Sequence, residues 1–194
     1  MKIVFASNNL NKVKEISNQL PDDIEILSLA DINCTEDIPE TGNTIESNAI
    51  IKANYVTEKY GLPCFADDTG LEIEALNGEP GVYSARYAGA EKNDDKNMEL
   101  VLEKLAEKTN RKARFKTVIA LNINNEQQLF TGIVEGNIIH KKVGTNGFGY
   151  DPIFVPNGFE TTFAQMDLEQ KNSISHRGKA VKQLIDFLKN NVSS

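Results

Sequence analysis

The chain is short of cysteine, of excess positive charge and of long apolar runs, and each shortage removes a class of protein. Only two cysteines occur in 194 residues. Cys34 and Cys64 stand at a spacing that suits neither a zinc knuckle nor a redox pair, so reduced thiols are expected. No stretch approaches the apolar length that a membrane span needs. The opening Met1-Lys2-Ile3-Val4-Phe5-Ala6 turns polar too early for a secretory segment, so the expected location is cytoplasmic and the Asn191-Val192-Ser193 sequon carries no weight. Lysine and arginine number 21 against 28 acidic residues, a net charge of −7. Broad binding to a nucleic-acid polymer needs clustered cations and is disfavoured. A small polyanion such as a nucleotide is compatible if a few cations are focused in a cleft, helped by a divalent metal held on carboxylates. There is no repeat, low-complexity block or Pro/Gly/Ser linker, so residues 1–194 are expected to form one domain.

What is present alternates between two periods. Lys2 to Ala6 reads as a buried strand, and Ser7-Asn8-Asn9 as a cap-rich turn opening a helix with Val13, Ile16 and Leu20 on one side. Ile24 to Leu29 fits a second strand, Asp31 to Asn43 a polar loop, and Thr44 to Tyr60 a longer helix striped by Ile45, Ala49, Ala53 and Val56. After Gly61-Leu62-Pro63, a short strand Cys64-Phe65-Ala66 is expected to deliver Asp67-Asp68-Thr69-Gly70 at its end, with Leu71 to Glu74 a further strand. An amphipathic helix is predicted over Asn93 to Lys108, then antiparallel strands Ala113 to Ile123 and Gln128 to Gly136 about an Asn124-Asn125-Glu126 turn. A glycine-rich loop, a polar segment and a helix carrying Val181, Leu184, Ile185 and Leu188 close the chain. This is α/β, with a mixed sheet flanked by helices.

Five segments have the residue types for chemistry, and each also has a plainer explanation. Ser7, Asn9 and Lys12 would cradle a phosphate at a helix start, or form an ordinary cap beside a solvated lysine. No Walker A loop occurs anywhere. Lys52 follows Glu40-Thr41-Gly42 and projects near the buried stripe of its helix, either toward an anion or with its stem snorkelling to water. Asp67-Asp68-Thr69-Gly70 places neighbouring carboxylates on opposite sides if the strand continues, or makes an Asp-rich turn with local bonds. Gly144 to Pro152 has the wrong glycine order for a dinucleotide fingerprint, and Pro152 blocks the helix it would need. Phe148 between two glycines is placed to stack on a base, or to plug the loop. In Lys171 to Lys179, His176 and Arg177 stand where a helix begins; a cation there opposes the helix dipole, which favours ligand donors over surface charge.

Together these segments make the chain resemble the inosine triphosphate pyrophosphatase-like, or Ham1-like, family of purine nucleoside triphosphate pyrophosphatases. The likeness spans nearly the whole chain and rests on Ser7 to Lys12, Glu40-Thr41-Gly42 through Asn48-Ala49 and Lys52-Ala53, Phe65 to Leu71, Pro80 to Tyr87, Gly147 to Phe154, and Ser175-His176-Arg177-Gly178. The resemblance implies an elongated mixed sheet with two lobes around a central cleft, usually in a homodimer; from the apolar runs and net charge, no membrane or nucleic-acid polymer partner is expected. It implies that Ser7, Asn9, Lys12 and Lys52 bind the phosphates, that Glu40 and Asp68 hold magnesium, and that Asp68 is also the general base. Thr69 would support the nucleotide, Phe148, Gly149, Tyr150 and Asp151 would pack and read the base, and Lys171, His176 and Arg177 would donate to its edge.

Magnesium and the lysines would offset charge on the triphosphate while Asp68 draws a proton from water attacking the α-phosphorus, so pyrophosphate leaves as one unit. Donors facing O6 would select inosine, deoxyinosine and xanthosine triphosphates over adenine, which presents an amino group there. Two departures from the family pattern stand out. Asn8 replaces a usual glycine, and Ser47 replaces a usual glutamate, which Glu46 cannot supply because one helical residue is a rotation of about 100°.

Overall fold

Short β-branched and aromatic runs set the sheet. In the computed structural model, which describes residues 1–191, Lys2–Phe5 (β1) pairs in parallel with Glu25–Leu27 (β2) and with Cys64–Ile73 (β3). Lys112–Ile123 (β4), Glu126–Ile138 (β5) and Phe154–Pro156 (β6) complete a six-stranded sheet in the order β2-β1-β3-β4-β5-β6. β5 and β6 are antiparallel, so the sheet is mixed as expected. Asn124 and Asn125 both take positive φ, 52° and 62°, the geometry that a two-residue hairpin turn between β4 and β5 requires. Leu10–Ser17 (α1), Ile45–Tyr60 (α2), Asp94–Lys104 (α3), Leu168–Ile174 (α4) and His176–Asn191 (α5) are the helices. No helix among the described residues is long and apolar enough to cross a membrane. Val192 and Ser193 of the sequon lie outside the described residues.

The chain forms two compact units from interleaved segments. The first comprises Met1–Asp68, Thr117–Gly132 and the residues from Arg177 onward; the second comprises Thr69–Lys116 and Ile133–His176. Three of the boundaries fall inside β3, β4 and β5, which explains why composition shows no linker. The first unit packs Phe5, Phe65, Ile119 and Leu121 of the sheet against Ile16 of α1 and Leu184 of α5. The Phe5 and Phe65 rings stack at 4.7 Å, and each large apolar side chain so buried contributes about 1.5–3 kcal/mol. Cys34 and Cys64 are buried thiols without a disulfide, as expected, and burial pushes the Cys64 thiol up to about 12. The second unit packs Met98 and Val101 of α3, with Leu105 at its C-terminal cap, against Leu71, Phe115 and Phe154.

Three expectations are corrected. β3 is one unbroken strand of 10 residues, so Asp67 and Asp68 lie in its middle and not at a strand end, and no Asp-rich turn forms. The polar segment before the last helix, for which no helix was predicted, contains α4, capped by Asp167, whose side chain accepts from Gln170 N. α1 ends at Ser17, short of Leu20, which still packs on the core from beyond the helix.

Candidate active site

In the first unit, the start of α1 is held by its own side chains. Asn9 Oδ1 accepts from the N–H groups of Asn11 (3.0 Å) and Lys12 (3.2 Å), and Ser7 Oγ accepts from Asn9 N (3.2 Å). These caps fix the first turn and with it the stem of Lys12. The Lys12 ammonium donates to Asp67 Oδ1 at 3.1 Å. Asp67 and Asp68 are strand neighbours, so their side chains leave opposite faces, and their partners divide accordingly. Asp67 Oδ2 accepts from Arg177 Nε at 3.2 Å, and Arg177 Nη1 donates onward to Glu15 Oε2 at 2.5 Å. Asp68 Oδ1 is 3.4 Å from Lys52 Nζ, which also donates to Glu40 Oε1 (2.8 Å) and to the Asp67 carbonyl (2.7 Å). Asp68 Oδ2 is buried with no hydrogen-bond partner among the described residues.

The turn that brings Glu40 to Lys52 depends on small residues. Gly42 N donates to Asn48 Oδ1 at 2.7 Å, and a Cβ on Gly42 would collide with the side chains of Ser47 and Asn48. Ser47 is the third residue of α2 and completes a capping box: its N–H donates to Thr44 Oγ1 (3.0 Å) and its Oγ accepts from Thr44 N (3.1 Å). The departure at Ser47 therefore has a local structural role.

Burial and charge act differently on neighbouring groups. Burial pushes the Asp67 carboxyl up, but Lys12, Arg177 and Lys52 together outweigh it and hold it well below the usual carboxylate range. At Asp68 burial wins, aided by Glu40 and Asp67, and the carboxyl rises despite Lys52 and Lys12. Burial likewise lowers Lys12 against the pull of Asp67. For Lys52, burial is overcome by Asp68, Glu40 and Asp67, and the ammonium is held more firmly than usual. Acidic and basic groups here depend on one another for their charge states.

In the second unit, Lys171 of α4 is 3% exposed and donates to Asp151 Oδ2 at 2.6 Å. Its Nζ lies 5.1 Å from the centroid of Phe148 and 5.7 Å from that of Phe163, within the range of cation–π attraction. Asp151 Oδ2 also accepts from Phe148 N at 2.9 Å, and a Cβ on Gly147, whose φ is +74°, would run into the same carboxylate. The His176 ring stacks on Phe115 at 4.6 Å. Gly149 N donates to Asp94 Oδ2 (2.8 Å), and the buried Tyr150 hydroxyl donates to the Ser84 carbonyl (2.6 Å).

Lys12, Lys52, Glu40 and Asp68 are thus gathered in the first unit, and Phe148, Asp151 and Lys171 in the second, where His176 joins the aromatic shell through Phe115 and Phe163. Arg177 needs a correction: it gains a great deal locally, because its guanidinium is buried between Asp67 and Glu15. Ser7 and Asn9 cap α1, Tyr150 is a core residue, and Thr69, next to Asp68 in the chain, is half-buried. Glu15, Asp94 and Phe115 were not expected. Glu15 sits between polar neighbours and Ile16, where an amphipathic pattern gives a carboxylate no special mark; the signal is the distant Arg177. No group of three or more His, Cys, Asp or Glu side chains forms a metal cage among the described residues. Glu40 and Asp68 are a carboxylate pair joined through Lys52.

The sequence and the fold both have close counterparts. The chain is 67% identical over 190 residues to the dITP/XTP pyrophosphatase of Flavobacterium psychrophilum, covering 98% of this chain and all of that one (100%). It is 65% identical over 188 residues to the dITP/XTP pyrophosphatase of Flavobacterium johnsoniae, covering 97% and 98%. The Ham1 protein of Staphylococcus aureus superposes with a TM-score of 0.90 at 43% identity, over 98% of this chain and 99% of that one. A HAM1 protein from Coxiella burnetii gives the same values, TM-score 0.90 and 43% identity. Residues 3–187 match the family model of the Ham1 family, and with that match over nearly its whole length the chain belongs to the Ham1 family.

Proposed function

We propose that this chain hydrolyses deaminated purine nucleoside triphosphates, the inosine, deoxyinosine and xanthosine triphosphates, to the monophosphate and pyrophosphate. The observation that carries this reading is the ion-pair assembly of buried Lys52, Asp67 and Asp68 with half-buried Lys12 and Glu40. Relatives 67% and 65% identical bear the name dITP/XTP pyrophosphatase. Asp68 is the general base: burial makes its carboxylate more basic than usual. Lys12 and Lys52, with Ser7 and Asn9 at the helix start, take the phosphates.

Magnesium fits this site. Glu40 and the unsatisfied Oδ2 of Asp68 supply the hard oxygen donors it prefers, and two carboxylates suit an ion that is held by one or two carboxylates together with substrate phosphates. When bound, it supplies charge stabilisation to the phosphate oxygens. Lys171 and His176 are the donors to O6, and Phe148 is the stacking surface. Asp151 orients Lys171 and the Phe148 backbone, Gly149 and Tyr150 hold that loop through Asp94 and Ser84, and Thr69 supports the nucleotide. Arg177 acts as a positioning residue for Asp67. A homodimer and a cytoplasmic location go with this reading. The test is a panel of inosine, deoxyinosine, xanthosine, guanosine and adenosine triphosphates with and without magnesium. Pyrophosphate release from the first three, dependent on the metal, is expected; equal release from ATP, or none at all, would sink the assignment.

A further inference from the structure

Lys52 is bonded to the same two carboxylates that the proposed function assigns to a divalent cation. Its ammonium donates to Glu40 Oε1 at 2.8 Å and to the Asp67 carbonyl at 2.7 Å, and approaches Asp68 Oδ1 at 3.4 Å. An ammonium has three donors, and protein oxygens face all of them. Lys52 is 7% exposed, so water does little to compensate any of these groups. A phosphate oxygen can therefore gain Lys52 only as a protein oxygen is given up, and a divalent cation on Glu40 and Asp68 meets a positive charge already seated there. The two events relieve each other: a phosphate that draws the ammonium off frees carboxylate oxygens, and a cation on those oxygens repels the ammonium toward the phosphate. Lys12 differs, because its ion-pair partner is Asp67.

We propose that Lys52 is the built-in counter-cation of the Glu40/Asp68 pair, so that a divalent cation binds weakly to the nucleotide-free chain and enters together with the triphosphate, whose phosphates displace the ammonium. This rests on the metal assignment above. By linkage, each ligand then raises the affinity for the other by the same factor.

The probe is Mn²⁺, followed by the electron paramagnetic resonance of the free ion, without nucleotide, in the wild-type chain and in Lys52→Met, Lys52→Gln and Lys12→Met. Both Lys52 variants should bind Mn²⁺ at least about 10-fold more tightly than wild type, and Lys12→Met distinctly less so. Lys52→Gln keeps a donor for the Asp67 carbonyl and stands in if the methionine variant fails to fold. Mn²⁺ binding to the wild-type chain as tight without nucleotide as with a non-hydrolysable α,β-methylene inosine triphosphate analogue overturns the proposal from the unmodified protein alone. Unchanged Mn²⁺ affinity in both Lys52 variants, with normal uptake in the presence of the analogue, overturns it and leaves the metal assignment standing. No Mn²⁺ uptake by any chain beyond that of the analogue in solution overturns both.

Discussion

Each unit takes a lysine out of water beside a carboxylate, but the two do so differently. In the first, Lys12, Lys52 and Arg177 interlock with Glu15, Glu40, Asp67 and Asp68, and Lys52, Asp67 and Arg177 each touch more than one partner. In the second, Lys171 and Asp151 pair with each other inside a shell that includes Phe148 and Phe163. A mesh of charges cannot lose one member without leaving another buried and unbalanced, whereas the two partners of one ion pair can be replaced together. The first arrangement suits a site that must receive a polyanion and a cation; the second suits a fixed donor that reads an uncharged base.

The sharpest way to break this contrast is Arg177→Met. It strips Glu15 and Asp67 of a shared cation and should lower stability by about 3–5 kcal/mol, read as a shift in the urea unfolding midpoint; a loss below about 1 kcal/mol would mean the mesh is not interdependent. Asp68→Asn comes next, with pyrophosphate release falling on the order of 100-fold or more while the fold is retained, since the amide has nearly the size of the carboxylate and its oxygen can still accept from Lys52. Full turnover with nucleotide still bound would remove the base assignment.

Paired exchanges compare the two units directly. Lys171→Met alone should cost about 3 kcal/mol, and adding Asp151→Asn should recover all but about 1 kcal/mol, because the amide oxygen still accepts from Phe148 N. Lys12→Met with Asp67→Asn should recover less, since Arg177 then faces a neutral group. Equal recovery in both would erase the distinction. Lys171→Met should also narrow the preference for inosine triphosphate over ATP about 10-fold, seen in kcat/KM.

The adjacent aspartates should titrate stability in opposite directions. Asp67 is held below its unfolded value of 3.8, so its contribution is complete above that value and is lost as pH falls through the lower folded value. Asp68 is raised above 3.8, so the folded chain binds that proton more tightly and stability from this group declines as pH rises from 3.8 through the folded value. In melting curves from about pH 2 to 6, Asp67→Asn should flatten the acid loss below 3.8 and Asp68→Asn should remove the opposing slope above it. Smallest of all, Ser47→Glu should change stability by no more than about 0.5 kcal/mol, because Thr44-x-x-Glu is itself a capping box; a larger loss would assign Ser47 a role beyond the helix cap.

Local patterns were legible wherever one element decides the outcome. The stripe of α2 placed Lys52 beside the core, and Asn124-Asn125 marked the hairpin. Asp67-Asp68-Thr69-Gly70 misled because aspartate and glycine favour turns and are depleted in strands. Lys12 and Arg177, 55 and 110 residues away, supply the charge that lets Asp67 sit inside β3. α4 did leave a mark, Asp167 with Gln170 three residues on, which is a helix-start signature in the polar segment.

The sequence by itself determined the alternating α/β pattern, the family and the set of residue types available for phosphate, metal and base, because helical and strand periodicity and short motifs are written locally. The tertiary structure alone decided which charges meet. Glu15 reaches Arg177, and Lys52 closes on Glu40 and Asp68, only after strands and helices far apart in the chain have packed. Burial then raises one aspartate while cations lower its neighbour. Desolvation and Coulomb energy depend on distance through the folded molecule, which the order of residues does not record.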